Sequence, residues 1–486
     1  MSSIQPLKEL FVISDLHIGG ALPTQQGERG FRINTHVLEL ALFVRELAVR
    51  HRSLGTSVEL VINGDFVDFL AEVSAGDKHH SAFVGDATKA VATFDAIAAR
   101  DPDLFDALAE LVASGCTVTL LLGNHDVELS LPAVRQRLMS RLGIKANAGF
   151  RFVYDGEAYV VGDVLIEHGN RYDGWNVVDH DRLRRFRSES SRGLAISSEA
   201  QFFAPAGSEL VQRVMNPIKQ DYPFIDLLKP ETGAALPLLL ALEPGLGSAA
   251  NGVEALRLLR DADQHQPRAP ARPARSGDIA GGGKIAYPAL WALLLEQLGP
   301  AGAAATMDLV AQAELAQIQQ RGQIASGAFS RALSFMRLRA APSYEQRLSV
   351  LLDALRALHD DTSFKRDKEG EACYLEAAQA LAKGPYSTIV FGHTHLAKQV
   401  TLPVSGATYI NTGTWADLMR IPDSVLSGPM WAAQVHLEAF ANAILERRYD
   451  EFLIWHPTFA HIALDAKGHA VSPALHDYRP GIVSAL

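Results

Sequence analysis

Aspartate, histidine and asparagine recur along this chain in short clusters, each set directly after an apolar run. Asp15 and His17 end FVISDLHIGG, and Asp65 and Asp68 follow Gly64 in LVINGDFVDFL. Asn124, His125 and Asp126 follow Gly123 in TLLLGNHDVEL, His168 stands in VLIEHGNRYDGW, and His393 and His395 follow Gly392 in STIVFGHTHLAK. Carboxylate, amide oxygen and imidazole are donors for divalent cations. Taken singly each cluster is ordinary, since an Asp at a strand end commonly serves a turn and a lone His is commonly structural. Three histidines at strand ends, joined to the earlier Asp and Asn groups, reverse that reading and point to a metal-centred site.

The apolar runs must be the elements that hold these side chains. Leu10–Ser14, Val58–Asn63, Thr117–Leu122 and Val164–Glu167 read as buried strands, with further strands expected at Ser387–Gly392, Ala407–Asn411 and Thr458–Leu464. Val91–Ala113 carries apolar residues at helical spacing, with an interruption expected near Pro102 and a stop at Gly115. Another helix is expected near Trp431–Arg448. The glycine ahead of three of the clusters permits the tight backbone that turns a strand into a ligand-bearing loop. This is α/β organisation in three parts: a first core segment 1–179, a helix-rich insertion 180–384, and a second core segment 385–486. Within the insertion, Pro, Arg and Gly concentrate at 263–284 without an apolar period, which reads as a flexible linker.

Composition narrows the function classes. With 486 residues, 48% of them hydrophobic and 21% charged, there is ample material for a globular core. A net charge of -10 offers no broad attraction to nucleic acid or anionic membrane, so no nucleic-acid partner is predicted. The two cysteines, Cys116 and Cys373, exclude a disulfide framework, and with no signal core or membrane-length apolar run the cytoplasm is the expected location. Nothing in the sequence sets the oligomeric state.

Taken in order, Asp15 with His17, Gly64 to Asp68, Gly123 to Asp126, His168, and Gly392 to His395 resemble the signature of the calcineurin-like metallophosphoesterase superfamily. The likeness covers residues 1 to about 175 and about 385 onward, YINTGTW included. It implies a four-layer αββα fold, a β-sandwich flanked by helices, with the insertion as a cap. It also implies two divalent metal ions. Asp15, His17, Asp65 and His395 would hold one, and Asp65, Asn124, His168 and His393 the other, with Asp65 shared and a hydroxide between the ions as nucleophile. Nitrogen and oxygen donors without thiolate suit Mn, Fe, Zn or Co without singling one out, and Mn is the expected metal. By the same resemblance His125 is the general acid at the leaving oxygen and Asp68 orients it.

The flanking residues sort the relatives. Asp68–Phe69 and His125–Asp126 differ from the Asp-Arg-Gly and Asn-His-Glu of protein serine/threonine phosphatases. Asp68 also stands where purple acid phosphatases need a tyrosine. UDP-diacylglucosamine pyrophosphohydrolases carry Asn-Arg where this chain has Asn124 and His125, and the DNA-break-repair nucleases share Asn-His-Asp. The expectation is a hydrolase of phosphomonoesters or phosphodiesters acting on a small-molecule or lipid-like ester. The alternatives are a nucleotide-sugar or lipid pyrophosphohydrolase, a repair-type nuclease, or a catalytically silent metal-binding scaffold. Asn170, Arg171, Arg184 and Arg185 are candidates for substrate phosphate, the two arginines 184 and 185 belonging to a basic run that otherwise reads as a solvated helix face. The apolar runs Ala235–Leu242 and Tyr287–Leu295 read as core, with an acyl-lined pocket as the alternative.

Overall fold

The computed structural model describes residues 8–20, 31–74, 77, 79–144, 149–220, 222–230, 234–242 and 343–486. The expected linker 263–284 and the apolar run Tyr287–Leu295 lie outside the described residues. The chain divides into two compact units, the first comprising 1–216, 362–417 and 455–486, the second 217–361 and 418–454.

In the first unit the apolar runs become strands: β1 (Lys8–Ile13), β2 (Ser57–Asn63), β3 (Thr117–Leu121), β4 (Phe150–Val153), β5 (Tyr159–Val161) and β6 (Val164–Ile166). A short strand of the second unit, β7 (Leu228–Lys229), intervenes in the chain before β8 (Thr388–Phe391), β9 (Lys398–Thr401) and β10 (Thr408–Asn411). After β11 (Leu418–Arg420) and β12 (Leu453–Ile454), again in the second unit, come β13 (Thr458–Leu464) and β14 (Ala470–Asp477). One sheet has the order β14-β13-β1-β2-β3-β4, with β1 to β4 parallel to one another; another has the order β5-β6-β8-β10-β9, with β6, β8 and β10 parallel.

Successive side chains of a strand point to opposite faces, so each strand divides its apolar residues between two cores. Leu10 and Val12 of β1, Val61 of β2 and Leu121 of β3 share one core cluster with Val164, Ile166, Val390 and Ile410 of the other sheet. Their neighbours Phe11, Ile13, Leu60, Ile62, Val118 and Leu120 face a larger cluster with helices α1 (Val37–Leu54), α2 (Ala87–Arg100), α3 (Pro102–Ala113) and α4 (Pro132–Arg141). Leu165, Ile389, Phe391 and Tyr409 pack with Tyr374 and Ala378 of the helix Ala372–Leu381. Burial on both faces explains why these strands are continuous apolar runs rather than alternating ones. The predicted interruption of the second helical run falls where expected, since α3 opens with Pro102 at a position that needs no amide donor.

In the second unit, the helix Tyr344–Arg356 packs against Met430–Leu445 and Leu236–Leu242. Leu238, Leu239, Ala241 and Leu242 are buried there, as the core reading of Ala235–Leu242 requires. No helix of the described residues is long and apolar enough to cross a membrane.

One charged network ties β1 to the chain's end. Arg50 donates to both oxygens of the buried Glu9, at 2.9 and 2.7 Å, and to the Val483 carbonyl at 2.7 Å, while His461 and Thr56 also bond Glu9. Burial opposes the charge, but His461 and Arg50 outweigh it and lower the Glu9 carboxyl to about 2 from its ordinary 4.5. Arg50→Met leaves that carboxylate buried with part of its pairing gone, and should cost about 3–5 kcal/mol in urea unfolding at neutral pH. Because the depressed pKa confers stability above 4.5 that is lost as pH falls toward 2, the gap between variant and wild type should narrow over that interval.

Candidate metal centre

Because β1, β2 and β3 run parallel, as do β6, β8 and β10, the carboxyl ends of each set lie along one edge of its sheet. Cross-links join the two edges. Ser14 Oγ is 2.6 Å from Thr412 Oγ1, Asn63 Nδ2 donates to the Glu167 carbonyl at 2.9 Å, and the His393 amide donates to Asp15 Oδ1 and Oδ2 at 3.0 and 2.9 Å.

The backbone at this junction is held in an unusual state. Among the described residues, seven that are not glycine have positive φ, and five of them are Asp15 (54°), His17 (45°), Asp65 (50°), His393 (73°) and His395 (62°). L-residues pay of order 1–3 kcal/mol for such conformations, which persist where the surroundings over-determine them and concentrate at functional sites. Glycine is required beside them. A Cβ on Gly123 would fall 1.9 Å from Asp65 Oδ1, and one on Gly64 2.4 Å from His168 Nδ1.

Among the described residues, donor atoms gather in three overlapping groups, Asp15 with His17 and His395, His17 with Asp65 and His125, and Asp65 with His168 and His393. His17 Nε2 lies 2.9 Å from His395 Nε2, His395 Nε2 3.6 Å from Asp15 Oδ1, and His17 Nε2 3.8 Å from Asp65 Oδ2. The same Asp65 Oδ2 lies 3.2 Å from His168 Nε2, within the last of these groups. Bonds of about 2.0–2.2 Å to a shared cation set neighbouring donors about 3–3.5 Å apart, which these spacings approach.

Orphaned atoms supply an independent test of fit. His17 Nδ1, Asn124 Oδ1 and His168 Nε2 are buried without a well-aligned hydrogen bond, the two ring nitrogens facing only carboxylate oxygens at 3.5 Å (Asp68 Oδ2) and 3.2 Å (Asp65 Oδ2). Such groups are costly unless something satisfies them. For His168 the assignment is chemical: the Asn63 carbonyl, 2.8 Å from Nδ1, can only accept, so Nδ1 carries the proton and a neutral ring presents the Nε2 lone pair. Burial disfavours the His168 cation, but Asp65 and Asp15 overcome it and raise the ring to about 10. Burial would likewise raise Asp65, yet His168, His125 and His17 hold it well below the usual carboxylate range. The two shifts reflect the mutual attraction of Asp65 and His168, a carboxylate–imidazole pairing within a donor group that could hold a metal ion.

His125 sits on the open side, its ring edge-on to His17 at 4.7 Å and its Nδ1 3.1 Å from Asp68 Oδ1. Asp68 Oδ1 also accepts the Ala71 amide at 3.2 Å, so it caps a short helical turn and holds the imidazole together. Burial opposes its charge, but His125 and His17 outweigh that and keep it below the usual range. The His125 amide donates to Asp65 Oδ1 at 2.9 Å, which turns Asp65 Oδ2 toward His17 and His168.

Asp126 is a site residue to which the sequence reading gave no role. Its carboxylate accepts the Gly123 amide at 2.7 Å and the Phe66 amide at 2.8 Å, lacing the loop after β3 to the loop after β2. Burial and the nearby Asp65 push it up to about 8. The available signal was its place in the Gly-Asn-His-Asp run, whose last member contacts backbone rather than the donor cluster.

The substrate candidates lie differently. Asn170 is buried and donates to the Asn176 carbonyl at 2.8 Å. Arg171 pairs with Glu167 at 3.4 Å and donates to the Gly156 carbonyl, so its guanidinium is committed within the fold. Arg184 and Arg185 are on the exposed face of α5 (His180–Ser190), whose inward face carries Leu183, Phe186 and Arg187. That run is not uniformly solvated, because Arg187 is buried and donates to the Tyr154 carbonyl at 2.6 Å.

No curated protein matches the chain. Residues 9–219 match the family model of the calcineurin-like phosphoesterases, a family of metal-dependent hydrolases of phosphate esters.

Proposed function

We propose that the chain is a dinuclear phosphoesterase, with Asp15, His17, Asp65 and His395 holding one ion and Asp65, Asn124, His168 and His393 the other. The observation that carries this reading is Asp65 Oδ2, which faces His17 Nε2 at 3.8 Å and His168 Nε2 at 3.2 Å and is thus common to both donor groups. Two ions bound there would supply charge neutralisation for a phosphoryl group and an activated water. The chain's own contribution is orientation and a proton. Asp68, bonded to His125 Nδ1, favours the imidazolium and leaves Nε2–H to be delivered to the departing oxygen. Mn is the expected metal, within the set of Mn, Fe, Zn and Co that the donors allow. The core clusters support a four-layer αββα arrangement of the first unit, with a helical layer outside each sheet.

The test is a panel of a phosphomonoester, a phosphodiester, a nucleotide-sugar pyrophosphate and single-stranded DNA, assayed with the apoprotein and after loading with Mn. Metal-dependent turnover of small esters is expected. A protein loaded with two ions that hydrolyses none of the four would refute the reading, and preference for the pyrophosphate or for DNA would replace it with one of those activities.

We further propose that the segment between His168 and His393 selects substrates, since loops at strand ends commonly set specificity on a fixed scaffold. Excision has to respect the core: Tyr374 and Ala378 pack with Phe391 and Tyr409, and Lys398 Nζ donates to the carbonyls of Thr362, Ser363 and Lys365. Residues 243–342 are the better target. Arg347 Nε donates to the Ala241 carbonyl at 2.8 Å, so a short Gly and Ser linker can rejoin the flanks. Metal binding and hydrolysis of a small nitrophenyl diester should survive, while discrimination among the larger substrates falls; a folded variant with unchanged selectivity removes these residues from the role.

A further inference from the structure

The second donor group contains two side chains whose chemistry depends on which way they face. An asparagine offers a metal its oxygen and not its NH2, and a neutral imidazole offers only its unprotonated nitrogen. We infer that Asp173, on the loop after β6, is a positioning residue that fixes both Asn124 and His393 toward the second metal position. This inference rests on the dinuclear reading above.

The argument follows from what a carboxylate can do, which is accept only. Asp173 Oδ1 accepts the Trp175 amide at 3.0 Å. Its Oδ2 accepts Asn176 Nδ2 at 2.7 Å and lies 3.2 Å from His393 Nε2. With its NH2 committed to Asp173, Asn176 turns Oδ1 the other way, 3.5 Å from Asn124 Nδ2. The NH2 of Asn124 therefore points at Asn176, and its Oδ1 is the buried atom without a partner. His393, facing the same carboxylate, carries its proton on Nε2 and presents Nδ1 as the ligand atom. One carboxylate thus sets an amide orientation two residues removed and a tautomer next to it.

The relay is itself braced. Asn170 Nδ2 donates to the Asn176 carbonyl at 2.8 Å, and the Gly207 amide donates to the Trp175 carbonyl at 2.8 Å. A Cβ at Gly207 would fall 2.2 Å from Asn176 Oδ1, so the absence of a side chain there makes room for that amide. None of these contacts involves the first donor group, so the effect of losing Asp173 should be confined to one ion.

Asp173→Asn keeps the size but cannot accept from Trp175, Asn176 and His393 together. The experiment titrates apo wild type and this variant with Mn alone, followed by calorimetry and by low-temperature electron paramagnetic resonance. Wild type should take two ions per chain and give an exchange-coupled spectrum. The variant should bind the second ion about 10–100-fold more weakly and show the six-line spectrum of an isolated ion. Asn176→Ala, which cuts only the arm to Asn124, should give a smaller loss at the same step, and it decides the matter if Asp173→Asn fails to fold. Two coupled ions with wild-type affinities in both variants, or equal weakening of both binding steps, would overturn the role of Asp173. A wild type that binds a single ion would instead bring down the dinuclear reading.

Discussion

Asp65→Asn is expected to abolish phosphate-ester hydrolysis and to lower the metal content below two ions per chain, with the fold intact. In two-metal sites the ions lie roughly 3.5–4 Å apart. At an effective dielectric of about 20, two dications at that separation repel by about 17–19 kcal/mol. A carboxylate between them offsets this with attractions of similar size to each ion, and a neutral amide does not. The substitution is otherwise conservative. Asn retains an oxygen to accept the His125 amide, now held by Asp65 Oδ1 at 2.9 Å, and places an NH2 where Oδ2 faces His17 and His168. Metal analysis, circular dichroism and turnover of a nitrophenyl diester check the result together. Two ions per chain and wild-type turnover in a folded variant would remove Asp65 from the shared position.

His125→Asn should show the opposite pattern, with metal content unchanged and catalysis selectively damaged. Its Nδ1 is engaged by Asp68 at 3.1 Å, and its ring stands on the open side of the donor cluster, where a leaving oxygen would emerge. A positioned acid contributes about 10²–10⁴-fold, and that contribution is needed only when the leaving group is a poor one. Alkyl esters should therefore lose about that factor in kcat/KM while nitrophenyl esters lose less than about tenfold, because nitrophenolate departs without a proton. Equal losses on the two substrate classes would assign His125 to substrate binding or to metal ligation. The latter outcome has a structural basis, since His17, Asp65 and His125 also form a group that could hold an ion.

Much of the scaffold was legible in the sequence because its strands are buried on both faces. A doubly covered strand is a continuous apolar run, and such a run stands out whatever its neighbours. Thr458–Leu464 was expected and found with the same bounds, and Val58–Asn63 and Thr117–Leu122 differ from their strands by a single residue. The edge strand β14 was not anticipated: Ala470–Asp477 includes Pro473, Ser472 and His476 and is only half-buried, so it lacks that pattern. The relation of 418–454 to the second unit was equally hidden, since an excursion of this kind changes neither period nor composition.

What the sequence determined by itself was the inventory: which donors exist, that each follows a strand, and that glycine precedes three of the clusters. Those are local properties, set by residue type and by the need to turn the chain sharply at a strand end. The tertiary structure alone decided which atoms face which. Parallel pairing brings Asp15, Asp65 and Asn124 to one sheet edge and His168 and His393 to the other, and only the closing of the two edges places Asp65 Oδ2 within 3.2 Å of His168 Nε2. Orientation was decided the same way. Asp126 bonds amides on two loops, and Asp173 reaches a histidine 220 positions away, and no spacing rule connects residues so distant in sequence. A donor's identity is written in its residue type, whereas its direction depends on partners that only the folded chain brings within hydrogen-bonding range.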